Sequence, residues 1–181
     1  SNPYDYVGIE HNKAAKHIVE NVSYGNLTNA QTNYNTGKAY VAANFDNSIV
    51  TNFNSNTSSA LLGSIFNNFG KDLPTVNTYT PIINANTSLS STAKSYFNSL
   101  LNQMFDPNNT SLDYSFYKSI IVNWESGIAN LSVSNDDKKA LYMSASVMRH
   151  SLLLWKDVEY PDSGDENLQL MKFRIKLWGW I

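Results

Sequence analysis

The chain has 181 residues with no cysteine, 42% apolar and 13% aromatic residues, and a net charge of −2 at pH 7. This length predicts one domain of ordinary size, the apolar content excludes a disordered chain, and no apolar run reaches the roughly 18 residues of a membrane-spanning helix. A near-neutral charge excludes a general attraction to nucleic acid, and the missing cysteines exclude disulfides, thiol catalysis and thiolate metal sites.

The first quarter of the chain predicts two helices separated by a polar loop. Asp5 is placed as the N-cap of the first helix, whose apolar residues recur at helical spacing until Gly25. The segment 26–37 is rich in asparagine and predicts a loop. A second apolar stripe over 39–49 again has the spacing of a helix.

A third helix is predicted over 61–69, with Gly70 at the position of a C-terminal cap. Pro74 and Pro81 follow, together with several β-branched residues. Since proline removes a helical hydrogen bond, this composition predicts a long extended crossover over 71–87.

The second half has clearer helical signals. Apolar stripes predict helices over 89–104, 112–131 and 136–158, and Ser134 with Asp137 resembles a capping box at the start of the last one. The end of the chain, 165–181, fits either a docking helix or a strand leading to a missing tail. The prediction is an all-α, single-domain bundle (1–181) of six to seven helices, rich in asparagine.

Candidate metal ligands lie on the first predicted helix. Glu10 and His17 are seven residues apart and share a face, and Glu20 follows one turn later. His150 is placed to approach this helix in space. A solvated side-chain pair at helical spacing explains His17 and Glu20 equally well and is preferred to a metal site, so no catalytic residue and no cofactor are predicted.

The N-terminal forty residues are crowded with tyrosine beside asparagine, serine and threonine. This is the composition of adaptable recognition surfaces, because rigid aromatic rings alternate with small hydrogen-bonding side chains. A general compositional bias with partly buried rings is the alternative. The candidate binding residues are Tyr4, Tyr6, Tyr24 and Tyr34.

The C-terminal segment combines three cations with aromatic residues, a composition typical of membrane-surface segments. The candidate membrane contacts are Lys172, Arg174, Lys176, Trp178 and Trp180. A last core element with solvated lysines is the alternative, since three cations are few for stable membrane attachment.

Two segments carry a resemblance. Residues 2–12 read Asn-Pro-Tyr-Asp-Tyr-Val-Gly-Ile-Glu-His-Asn, and 146–151 read Ser-Val-Met-Arg-His-Ser with Trp155 after them. The first segment resembles the start of mature, uncharacterised exported proteins from Bacteroidetes. The second resembles a later helix of these proteins with the pattern Ser-Val-Ala-x-Tyr-Ser, in which this chain has Met148 in place of alanine and His150 in place of tyrosine. The resemblance implies a removed export signal, often of lipoprotein type, and an extracytoplasmic location, and it implies no activity.

Three hypotheses follow. The preferred one is a non-enzymatic helical binding module, secreted or membrane-anchored, whose tyrosine-rich N-terminal region binds a protein or a surface polymer and no nucleic acid. The second is a membrane-active or bacteriocin-like protein that acts through the C-terminal segment. The third is a metal-dependent enzyme using the histidine and glutamates of the first helix.

Overall fold

The computed structural model describes residues 1–21, 30–47, 50–51, 76–109 and 113–155. These residues form six α-helices and contain no strand, which confirms the all-α fold. The helices are α1 (Asp5–Asn21), α2 (Ala30–Asn44), α3 (Val76–Ala85), α4 (Ser91–Met104), α5 (Tyr114–Gly127) and α6 (Asn135–Trp155), and a 3-10 turn (Ile128–Asn130) follows α5. The predicted third helix and the segment 165–181 lie outside the described residues.

The chain divides into two compact units. The large unit consists of Ser1–Ile9 and Leu73–Ile181, and the small unit consists of Glu10–Asp72. The residues Ser1–Ile9, which we call the N-terminal strap, therefore group with helices that follow much later in the chain. The prediction of one domain over 1–181 stays a prediction.

The core of the large unit lies between α3, α4, α5 and α6. Helix α4 contacts the other three, and α5 packs along α6. Four positions predicted to face inward on the last helix, Leu141, Ala145, Met148 and Leu152, are confirmed, since each is at most 2% exposed. The side chain of Trp155, predicted to face inward with them, lies outside the part of the chain that the structure describes. The largest buried side chains from the four helices are Tyr79, Phe97, Leu100, Leu101, Met104, Tyr117, Ile121, Trp124, Leu141, Met148 and Leu152.

Asp137, part of the predicted capping box at the start of α6, also binds the start of α4. The Asp137 N–H donates to Ser134 Oγ at 3.0 Å, as expected for a cap. The Asp137 carboxylate, only 4% exposed as a residue, accepts the Ser90 N–H at 3.1 Å. Hydrogen bonds from Ser90 and then Ser134 outweigh burial and lower the pKa of Asp137. One buried carboxylate thus joins the N-terminal ends of two helices.

The extended crossover predicted over 71–87 is wrong for residues 76–85, which form α3 with Pro81 inside it. Pro81 lies on the exposed side of α3, whereas Tyr79 and Ile83 on the same helix are buried. The Tyr79 ring stacks on Phe105, with the ring centroids 5.5 Å apart. Burial of this apolar face against α4 offsets the hydrogen bond that proline removes.

The loop predicted over 26–37 is wrong from Ala30 onward, because α2 begins there. Gly37 and Val41, one turn apart, are both buried within the small unit. A Cβ atom added to Gly37 would lie 3.2 Å from Cδ1 of Ile18, so the α2 backbone approaches that buried side chain closely. Packing on this face therefore overrides the low helix propensity of the asparagines.

Candidate functional site

The N-terminal strap binds α6 through a buried serine. Ser146 Oγ donates to the Asp5 carbonyl oxygen at 2.8 Å and accepts the Gly8 N–H at 3.0 Å. Ser146 has no exposed surface. Because its proton is used within the strap contact and no solvent reaches it, Ser146 is a structural hydroxyl rather than a nucleophile.

The strap approaches α6 at van der Waals distance. A Cβ atom on Gly8 would lie 2.5 Å from the Ser146 carbonyl oxygen and 2.6 Å from its Oγ, and it would also overlap Cδ2 of His150. Such separations are far below ordinary contact distances, so only glycine fits at this crossing. The glycine of the first resemblance segment therefore contacts the second segment directly.

Charged side chains surround this crossing. Asp5 was predicted as an N-cap, but it is the first residue of α1, and its Oδ1 lies 2.5 Å from Arg149 Nη2 and 3.1 Å from His150 Nε2. The approach of His150 to the first helix is therefore confirmed. Burial alone would raise the pKa of Asp5, but hydrogen bonds and charge from Arg149 and His150 lower it.

Glu125 on α5 completes the cluster. Its Oε2 lies 3.1 Å from Arg149 Nε, and its Oε1 accepts from Arg149 Nη2 at 3.2 Å and from Asn2 Nδ2 at 2.5 Å. Asn2 Nδ2 also donates to the Tyr142 carbonyl at 2.7 Å. The Arg149 and Glu125 side chains are only 19% and 13% exposed, so this pair is shielded from salt more than a surface ion pair. The strap is thus held by charged groups at Asn2 and Asp5 and by the Ser146 hydroxyl at Gly8.

Two of the predicted binding tyrosines lie on the strap. Tyr6 is 45% exposed, whereas Tyr4 is half-buried with Lys139 Nζ 5.8 Å from its ring centroid. Tyr34 belongs to the small unit, where Lys38 Nζ lies 5.7 Å from its ring centroid. Tyr24 lies outside the described residues. Of the described candidates, Tyr6 is therefore the exposed one, and Tyr4 and Tyr34 are half-buried.

The three candidate metal ligands of the small unit have other partners. Glu10 pairs with Lys13 at 2.7 Å, and Glu20 pairs with Lys16 at 3.7 Å. The His17 ring stacks on Tyr40 with the centroids 4.5 Å apart. Within the described ranges, no three acidic or histidine side chains are grouped as metal ligands.

The candidate membrane contacts all lie in 172–180, outside the described residues. Among the helices that the structure describes, none combines the length and apolar character needed to cross a bilayer.

Sequence reasoning did not single out Arg149 or Glu125 as site residues. Arg149 follows the buried Met148 on α6, and it is the only lysine or arginine between Lys139 and Lys156. A single charged residue beside an apolar stripe is expected to be half-buried. Since a half-buried charge requires an oppositely charged partner, this pattern indicates an ion pair.

Comparison with known proteins adds no assignment. No family model matches the chain, and no curated protein and no solved structure matches it. The strap contact is therefore interpreted from its own chemistry.

Proposed function

We propose that this protein is a non-enzymatic helical binding module that acts outside the cytoplasm and contacts its partner through the N-terminal strap. The observation that carries the proposal is the 45% exposure of Tyr6 between two fixed points. Asp5 on one side is bound by Arg149, and Gly8 on the other side donates to Ser146. The ring is therefore displayed from a backbone that is already ordered.

Ordering before binding favours recognition. Immobilising flexible groups opposes association, so an aromatic ring on a fixed backbone binds with a smaller entropy loss than one on a mobile tail. Tyrosine also offers a large apolar face and one hydroxyl, which suits contacts with proteins and with polymers. Ile9, also 44% exposed and one turn after Tyr6, extends the apolar part of this surface.

The extracytoplasmic location and a lipid or tail anchor are part of the proposal and rest on the sequence resemblance. The test is fractionation of cells that make the native protein, followed by the intact mass of the mature chain. A membrane-associated species with a lipid-modified N-terminus is expected of an anchored protein, and a processed N-terminus in the medium is expected of a secreted one. A cytoplasmic species that begins with methionine would refute the location.

Binding is tested with the full chain immobilised against surface proteins and surface polysaccharides of the producing cells. We expect a retained component whose affinity falls about tenfold or more in Tyr6→Ala, the loss typical of an exposed aromatic anchor. Val122→Ala is the matched control, because Val122 is 40% exposed on α5 and belongs to no part of the strap. Equal binding by Tyr6→Ala and the wild type would refute the role of the strap.

A further inference from the structure

We propose that Arg149 and His150 form a carboxylate-binding site on α6 that the chain's own Asp5 occupies as an internal ligand. Three polar atoms of α6 lie around one oxygen of Asp5. Arg149 Nη2 is 2.5 Å from Oδ1, His150 Nε2 is 3.1 Å from it, and Ser146 Oγ is 3.4 Å from it. A guanidinium and a ring N–H on one face of a helix are suited to a carboxylate.

The guanidinium has a second carboxylate partner besides Asp5. Glu125 Oε1 accepts a hydrogen bond from Arg149 Nη2, Glu125 Oε2 lies 3.1 Å from Arg149 Nε as an ion pair, and Asn2 in turn donates to Glu125. Removal of the Asp5 carboxylate therefore leaves a compensated ion pair rather than an isolated buried charge. The guanidinium stays in place with a hydrogen-bonding position free for another carboxylate.

The occupant is also open to exchange. The Asp5 side chain is 46% exposed, whereas the Arg149 and His150 side chains that bind it are only 19% and 18% exposed. A ligand can therefore reach the site from solvent once Asp5 withdraws. The Ser146 hydroxyl also bonds to two main-chain groups of the strap, the Asp5 carbonyl and the Gly8 N–H. These bonds use no atom of the Asp5 side chain, so they survive its replacement. An outside carboxylate that takes this position would break one of the strap's attachments.

The experiment removes the internal ligand and supplies an external one of the same shape. Asp5→Ala deletes one carboxylate group, and formate has the volume and charge of the deleted group. Thermal unfolding of the full-length variant is followed in formate and in equal concentrations of chloride. We expect formate to raise the midpoint of Asp5→Ala in a saturable manner, and to shift the Arg149 side-chain NMR signals over the same concentration range.

Two controls separate this site from general salt effects. The wild type has the site occupied, and Asp5→Asn fills it with a neutral amide, so formate should act on both no more than chloride does. If Asp5→Ala is unfolded in chloride, the recovery of folded protein in formate is the readout. An Asp5→Ala variant that responds equally to the two salts, with unmoved Arg149 signals, would overturn the proposal.

Discussion

Replacing Gly8 with alanine tests whether close contact with α6 is what positions the strap. In an exposed helix this change stabilises by about 1 kcal/mol, because alanine has the higher helix propensity. At Gly8 the new Cβ would lie 2.5 Å from the Ser146 carbonyl oxygen, a main-chain atom that cannot rotate away. Overpacking of this kind costs about 1–3 kcal/mol, and displacement of α1 weakens the Gly8–Ser146 hydrogen bond, worth about 1 kcal/mol. The sum is a net loss of about 1–3 kcal/mol.

Denaturant unfolding followed by circular dichroism measures this loss, and amide hydrogen exchange of the strap shows where it occurs. Gly37→Ala on α2 is the matched control, since among the described residues its Cβ would meet the terminal Cδ1 methyl of Ile18 at 3.2 Å. Because this contact is a side-chain methyl at 3.2 Å rather than a main-chain oxygen at 2.5 Å, Gly37→Ala should lose less stability than Gly8→Ala. The reasoning is refuted if Gly8→Ala is as stable as the wild type, or if both variants lose the same stability.

Three further changes test the polar contacts by thermal or denaturant unfolding. Because the folded pKa of Asp5 lies below its unfolded value, its stabilisation is complete above the ordinary carboxyl range and is lost as the pH falls towards the folded pKa. Asp5→Asn should therefore flatten the acid side of the stability profile, and an unchanged profile would contradict this. Asp137→Ala should cost more than the roughly 1 kcal/mol of Ser134→Ala, since it leaves the Ser90 N–H without its acceptor and removes the other hydrogen bonds of the carboxylate with Ser90 and Ser134, whereas Ser134→Ala removes the cap on the Asp137 N–H. Equal losses in the two variants would contradict this. Tyr96→Phe should cost about 1 kcal/mol by removing its 2.6 Å bond to a carbonyl of α5, and no loss would show that this bond contributes nothing.

The helices that could be predicted from sequence are those whose local signals agree with their packing. The start of α4 follows Ser90, whose Oγ accepts the Ala93 N–H, and α4 ends at Met104, where its predicted apolar stripe ends. The apolar stripe of α6 is buried as its spacing predicts. In both segments the apolar period agrees with the observed helix, and for α6 the predicted Ser134 cap agrees with it as well.

The two segments that were predicted wrongly have local signals opposed to their packing. Pro81 and the asparagines of α2 disfavour helix on their own, and only contacts distant in the chain offset them. Tyr79 on α3 stacks on Phe105, and Gly37 on α2 packs closely against the Ile18 side chain of α1. These contacts join residues that are distant in sequence, whereas helical periodicity relates residues only a few positions apart. Proline and asparagine therefore predict a break in segments that packing holds helical.

The strap contact shows the same division between local and distant information. The two segments that carry the resemblance were identified by their residues, but nothing local indicates that Gly8 lies against Ser146 or that Asp5 binds Arg149. Only 15% of the residues are charged, so few carboxylates are present to pair with a half-buried arginine. Arg149 pairs with two of them, Asp5 and Glu125. Since Glu125 also pairs with the guanidinium, Asp5 is not its sole carboxylate partner, and Asp5 attaches the strap to α6. The exposed Tyr6 next to it is held by that attachment together with the Gly8–Ser146 hydrogen bond.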